Sequence, residues 1–233
     1  GGWISSYALI GIEGGQIREL VVDDVYNLDG ELKNQGKVFP PPLEMAKQLE
    51  VKNVALSLAN WDTNFPEVAK NSEFFLKEAG KAHKIDGVFT IDIYLIQDLL
   101  EQWGGIYIPG ESELITSNNL HEKIFSLHQN FTPGESQKAT FLTKLADEIL
   151  RRIFSTGFTE NKDVFATLLK SLDYKNTLLY LDNIEAQKYF SEKGWAGEIS
   201  SRKHGFLPTS VEWNWGANKA NLYLEREQKI KAE

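Results

Sequence analysis

The chain has 233 residues, 42% of them hydrophobic and 25% charged, with 33 acidic side chains against 25 basic ones and a net charge of −8. This balance excludes a disordered tail, a collagen-like fibre and a low-complexity scaffold. An acidic chain with no dense basic run before Arg226 to Lys231 is also poorly suited to neutralising nucleic-acid phosphates. Cysteine is absent, so disulfides, thiolate nucleophiles and cysteine-based zinc sites are excluded. No apolar run approaches the roughly 20 residues of a membrane-spanning helix.

Ile4 to Ile12 reads as a strand, Gly14-Gly15 as a tight turn, and Gln16 to Tyr26 as the returning strand of a hairpin. Asn27 to Pro42 reads as a loop with a turn at Asp29-Gly30, closed by three consecutive prolines. Val51 to Ala59 reads as a short strand or turn, and Pro66 as the first turn of a helix ending at Gly80. Ile85 to Ile93 is expected as the clearest core strand, followed by a helix from Tyr94 to Trp103 that stops at Gly104-Gly105 and a short strand Ile106 to Ile108. Helices are expected over 117–127, 135–154 and 161–172, where apolar residues recur three and four apart. Thr177 to Leu181 reads as a strand, Asp182 as the cap of a helix ending at Gly194, and Phe206 to Trp213 and Asn221 to Leu224 as closing strands. With no internal repeat and no long linker, residues 1–233 are expected to form a single α/β domain: a mixed β-sheet opened by an antiparallel hairpin and flanked by helices.

Three constellations could carry chemistry. Asp23, Asp24 and Asp29 lie where the second strand meets a glycine-bearing loop, and strand-end carboxylates could hold a hard divalent ion such as magnesium. They could equally cap, turn or face water. Asn60, Trp61 and Asp62 precede the Pro66 helix, whose N-terminus favours anions, while Trp61 could stack on a sugar or cover an acyl chain. The alternative is that Asp62 or Asn64 caps the helix and Trp61 and Phe65 staple it. Trp195 and the Trp213 to Lys219 segment could form a glycan-binding shelf or simply pack. The four histidines show no zinc-type spacing, and no Walker loop, nucleophile elbow or dinucleotide fingerprint is present.

In order along the chain stand Gly1-Gly2-Trp3-Ile4-Ser5-Ser6-Tyr7, Asp24-Val25-Tyr26-Asn27-Leu28-Asp29-Gly30, Pro40-Pro41-Pro42, Ala59-Asn60-Trp61-Asp62 with Phe65-Pro66, Ile85-Asp86-Gly87-Val88, Gly194-Trp195-Ala196-Gly197 and Ala217-Asn218-Lys219-Ala220. This series resembles an uncharacterised bacterial cell-surface family, domain of unknown function 4012. The resemblance implies an extracytoplasmic domain anchored by a membrane helix outside this chain, which opens with neither an initiator Met nor a signal peptide.

The order of hairpin, loop-helix unit and Ile85 to Ile108 segment also resembles the LytR–CpsA–Psr family. Those enzymes transfer polyprenyl-pyrophosphate-linked glycopolymers to the wall using magnesium and several arginines. By position that likeness puts Asp23 and Asp24 at its Arg-Asp pair and Lys138 at the start of its later helix, so Asp23, Asp24 and Lys138 are the candidate catalytic residues, and the strand-end carboxylates Asp23, Asp24 and Asp29 the candidate magnesium ligands. The likeness also puts Ser5 near the ligand, and Arg18, Tyr26, Asn60, Trp61 and Asp62 join Ser5 as candidate ligand contacts from their own places in the sequence. Where that family is arginine-rich, this chain has only Lys138, with Arg151 and Arg152 a few turns on. The expectation is therefore an envelope domain that binds a polyprenyl-linked glycan or another envelope polymer. The alternatives are a divergent metal-assisted phosphotransferase and a non-catalytic scaffold.

Overall fold

Gly14 and Gly15 take φ of 60° and 76°, the left-handed values that a tight turn demands and a side chain resists. In the computed structural model, which describes residues 4–129, 137–155, 162–199, 225, 227 and 229 (side chains of 128–129, 137–139 and 155 excepted), they join β1 (Ser6–Glu13) to β2 (Gln16–Asp24). The two strands pair antiparallel with Ser6 opposite Asp24, and the register shifts between Gly11 and Ile12.

β2 runs directly into a helix, α1 (Val25–Asn34), where the sequence reads as a loop. Val25, Leu28 and Leu32, spaced three and four apart, are fully buried. Burial of that stripe outweighs the poor helix propensity of Asn27 and of Gly30. A second helix that the sequence reading lacks, α2 (Leu43–Leu49), follows the prolines. The Val51 to Ala59 stretch ends in a 3₁₀ turn, Leu56–Trp61, with Asn60 off the helical path at φ −92°, ψ 34°. α3 (Phe65–Glu78) begins with Pro66 in its first turn, as expected. α1, α2, the 3₁₀ turn and α3 enclose a first core that includes Leu28, Leu32, Leu56 and Phe75, and Tyr7 and Leu9 of β1 pack on it.

The expected core strand over Ile85 to Ile93 shortens to β3 (Gly87–Phe89), because its partner β4 (Leu179–Leu181) offers only three residues to pair with. Between them come α4 (Ile93–Trp103), ended by Gly104 at φ 70°, then α5 (Leu120–Gln129), α6 (Gln137–Ser155) and α7 (Lys162–Asp173). Ile106 forms a single bridge with Ile115 in place of a short strand. Leu99, Leu100, Leu120, Leu145 and Ile149 form the centre of a second core. α8 (Ile184–Lys193) is capped by Asn183 rather than Asp182: its Oδ1 accepts the Ala186 N–H at 3.0 Å.

The α/β class therefore stands. Among the described residues the strands form two separate two-stranded antiparallel sheets, β1-β2 and β3-β4, not one mixed sheet. α6 packs directly on β2, and Thr143 Oγ1 approaches the Val22 carbonyl at 3.4 Å. The start of α3 is completed from far along the chain: Gly197, at φ 60° and with no room for a Cβ between Phe65 and Leu178, accepts the Phe65 N–H at 3.2 Å. Asn64 Oδ1 accepts the Ile199 N–H at 3.0 Å. The expected closing strands over 206–213 and 221–224 lie outside the described residues.

Candidate functional site

The end of the hairpin and the Trp61 segment share one rim. Ser5 and Ser57 tie the chain together there through their carbonyls, Ser5 accepting from the Val25 N–H at 3.5 Å and Ser57 from the Ile4 N–H at 3.0 Å. On α1, Asp29 accepts the Ser57 N–H through Oδ2 at 3.4 Å. Asn60 follows Ser57 by one 3₁₀ turn, and Trp61 packs edge-on to Phe75 with ring centroids 6.5 Å apart. Asp23, Asp24, Tyr26, Asp29, Ser5, Asn60 and Trp61 thus belong to neighbouring elements, and Asp62 turns the chain beside them by accepting the Asn64 N–H at 2.8 Å.

Each carboxylate here has local work. Asp23 Oδ1 accepts from the Asp24 N–H at 2.8 Å and from Asn27 Nδ2 at 2.7 Å, and the Tyr7 hydroxyl lies 3.5 Å from Oδ2. Asp24, only 7% exposed, caps α1 through the Tyr26 N–H at 3.0 Å. Successive strand residues point to opposite faces, so Asp23 and Asp24 face apart, while Asp24 lies near enough to Asp29 for its charge to act there. Among the described residues no three carboxylates or imidazoles gather as ligands. With Asp24 buried as a helix cap, Asp23 accepting from Asn27 and Asp29 from Ser57, these three carboxylates do not fit a common magnesium ion.

Burial raises the Asp29 carboxyl above the usual carboxylate range, with the Ser57 hydrogen bond opposing it and the Asp24 charge adding to it. The Tyr7 phenol is pushed up by burial and then by Asp23, and the half-exposed Tyr26 phenol by burial and then by Asp24 and Asp29. Both phenols remain hydrogen-bond donors at neutral pH. Asp29 Oδ1 and Asn60 Oδ1 are enclosed without a partner. The rim is rich in acceptors and negative in charge, which suits hydroxyl donors and disfavours an unshielded phosphate.

Arg18 is not part of it. It lies five residues from Asp23 along β2, about 17 Å at strand rise, and faces Glu13 at 3.9 Å. Lys138 falls in the first turn of α6, and its side chain lies outside the described residues, as do Trp213 to Lys219. Trp195 sits beside Tyr189 and Phe190, ring centroids 6.2 and 6.1 Å away, and its Nε1 donates to Asp173 at 2.8 Å.

Sequence reasoning missed an apolar cavity of about 420 Å³ between α4, α6, α7 and the end of β3. Leu95, Ile96 and Leu99 line it from α4, Ile149, Ile153 and Phe154 from α6, with Phe89, Ile91 and residues of α7 completing the wall. The signal was the apolar excess of α4, whose sequence Ile-Tyr-Leu-Ile-Gln-Asp-Leu-Leu carries more bulk than one buried stripe requires. α6 connects the two regions: Thr143 touches β2 one residue before Asp23, and the same helix turns Ile149 and Ile153 into the cavity.

This α/β arrangement with an acidic rim belongs to a chain whose residues 1–126 match a family described as "Protein of unknown function (DUF4012)". That match covers more than half of the sequence, and the chain is a member of the family. No curated protein and no solved structure matches it. No helix among the described residues is long and apolar enough to cross a membrane.

Proposed function

We propose that this is an extracytoplasmic envelope domain, held at the membrane by an anchor outside this chain, that binds a polyprenyl-linked glycan. A distant kinship with the LytR–CpsA–Psr enzymes belongs to the same reading, without their arginine-supported transfer. The observation that carries it is the cavity between α4, α6 and α7, whose lining side chains are all apolar and whose volume lies in the range of small-ligand pockets. A hydrocarbon gains from such a wall in proportion to the area it removes from water. The half-exposed carboxylate of Asp23 at the rim supports the glycan half, since sugar hydroxyls can donate to such an acceptor.

Isothermal titration of the whole chain with farnesyl phosphate tests this reading. Binding that disappears in Ile153→Asp, a substitution into the cavity wall, while circular dichroism stays unchanged, is the expected result. Equal binding by both proteins, or none by the wild type, overturns it.

A further inference from the structure

The hairpin has two outer edges, and the fold treats them differently. The Val25 N–H donates to the Ser5 carbonyl at 3.5 Å, so Ser5 and Val25, one step outside the Ser6–Asp24 pair, form a hydrogen-bonded pair. Antiparallel pairs alternate between bonded and non-bonded. Tyr7, Leu9 and Gly11 therefore bond inward to β2, while Ser6, Ala8 and Ile10 turn their N–H and C=O groups outward. The same parity holds on β2: the outward Val22 carbonyl accepts from Thr143 of α6 at 3.4 Å, and the outward Asp24 N–H donates to Asp23 Oδ1 at 2.8 Å. α6 packs along that edge. On the β1 edge, the outward groups of Ala8 and Ile10 meet no hydrogen-bond partner among the described residues.

β1 also lacks the devices that protect such an edge. From Ser6 to Ile12 it has no proline and no charge, and the register shift puts the extra residue, Arg18, on β2. Ala8 is exposed, Ile12 is 60% exposed, and Tyr7 and Leu9 hold the opposite face of the strand to the first core. We propose that this edge is an interface between two copies of the chain, which pair β1 to β1 antiparallel about a two-fold axis at Leu9 and join the two hairpins into one sheet. A row of unpaired backbone groups fits another extended backbone, and a two-fold sets the strand against itself. Ala8 then lies opposite Ile10, both with outward groups, so each such pair exchanges two backbone bonds. Ser6 lies opposite Ile12, and Glu13 is carried out to Ser5, away from its own twin. Like charges directly opposite would oppose pairing, and here none meet. A two-stranded sheet is marginal alone, and each copy gains strands from the other. The net charge of −8 opposes association elsewhere more than along this neutral strand.

The test is sedimentation of the whole chain from micromolar to near-millimolar concentration, with amide exchange followed in parallel. A monomer–dimer equilibrium is expected. The Ala8 and Ile10 amides should slow as dimer forms, far more than those of Tyr7 and Leu9, which already bond to β2. Ala8→Pro removes an outward N–H and leaves the ladder to β2 intact, so it should weaken the dimer about tenfold or more at an unchanged Tm. A chain that stays monomeric throughout overturns the proposal, as does a dimer in which Ala8 and Ile10 exchange as fast as in the monomer. So does a folded Ala8→Pro that dimerises like the wild type. Should Ala8→Pro not fold, the concentration dependence of the two wild-type amides alone decides the outcome.

Discussion

Asp29 accepts the Ser57 N–H through one carboxylate oxygen at 3.4 Å while its other oxygen is enclosed without a partner. One side chain thus links α1 to the 3₁₀ turn and carries a charge that its surroundings disfavour.

A pH dependence follows. Because burial raises the Asp29 carboxyl in the folded protein, the folded state binds that proton more tightly than the unfolded chain does. The group then favours folding below its unfolded value, and this contribution is lost as pH rises through the folded value. Asp29→Asn keeps an acceptor for Ser57 and removes the charge. Its Tm should exceed that of the wild type by a few degrees at pH 7 and match it near pH 4. A lower Tm for Asp29→Asn at pH 7 in scanning calorimetry would contradict the assignment.

Asp24 is a helix cap before it is anything else. Asp24→Ala should cost about 1–2 kcal/mol in urea unfolding through loss of the Tyr26 N–H bond. Asp24→Asn, which can still cap, should cost far less. Equal losses in both variants would show that the charge, not the cap, is what matters.

Gly87 has no space for a side chain. An added Cβ would lie 2.6 Å from the Tyr180 carbonyl oxygen and also against Leu181, both on the paired strand. Gly87→Ala should therefore separate β3 from β4 at a cost of about 1–3 kcal/mol, visible as faster amide exchange at Val88 and Tyr180. Unchanged exchange at both would rule out this crowding.

α1 can be checked by its core face. Leu28→Ala should lose about 2–5 kcal/mol, since Leu28 is fully enclosed in the first core. Lys33→Ala on the exposed side should stay within about 0.5 kcal/mol. A small effect at Leu28 would restore the loop reading of this segment.

Much of the fold is legible in the sequence where punctuation and periodicity agree. The Gly14-Gly15 hairpin, the Pro66 start of α3, the Gly104 end of α4 and the stripes of α6 and α7 all appear near their expected places. α1 was hidden because Asn27, Asp29 and Gly30 are turn residues, and the Val25, Leu28, Leu32 stripe is decisive only once a core exists to receive it. The Ile85 to Ile93 run looked like a buried strand because burial in a sheet and exposure at a cavity mouth both call for apolar residues. Phe89 and Ile91 serve the second purpose. The rim was partly legible: neighbouring motifs named Asp23, Asp24, Asn60 and Trp61, but the pairing of Asp29 with Ser57 depends on a helix that local propensity conceals.

The seal on α3 has a consequence for how the molecule assembles. The amide of Phe65 and the side chain of Asn64 find their partners at Gly197 and Ile199, up to 135 positions away along the chain. The stretch that defines family membership ends at residue 126, so it does not close upon itself. During synthesis the first turn of α3 must wait, half-satisfied, until the chain has been made past residue 199. Loop-closure entropy places that final latch late, and a version cut at the family boundary should fray at this point first.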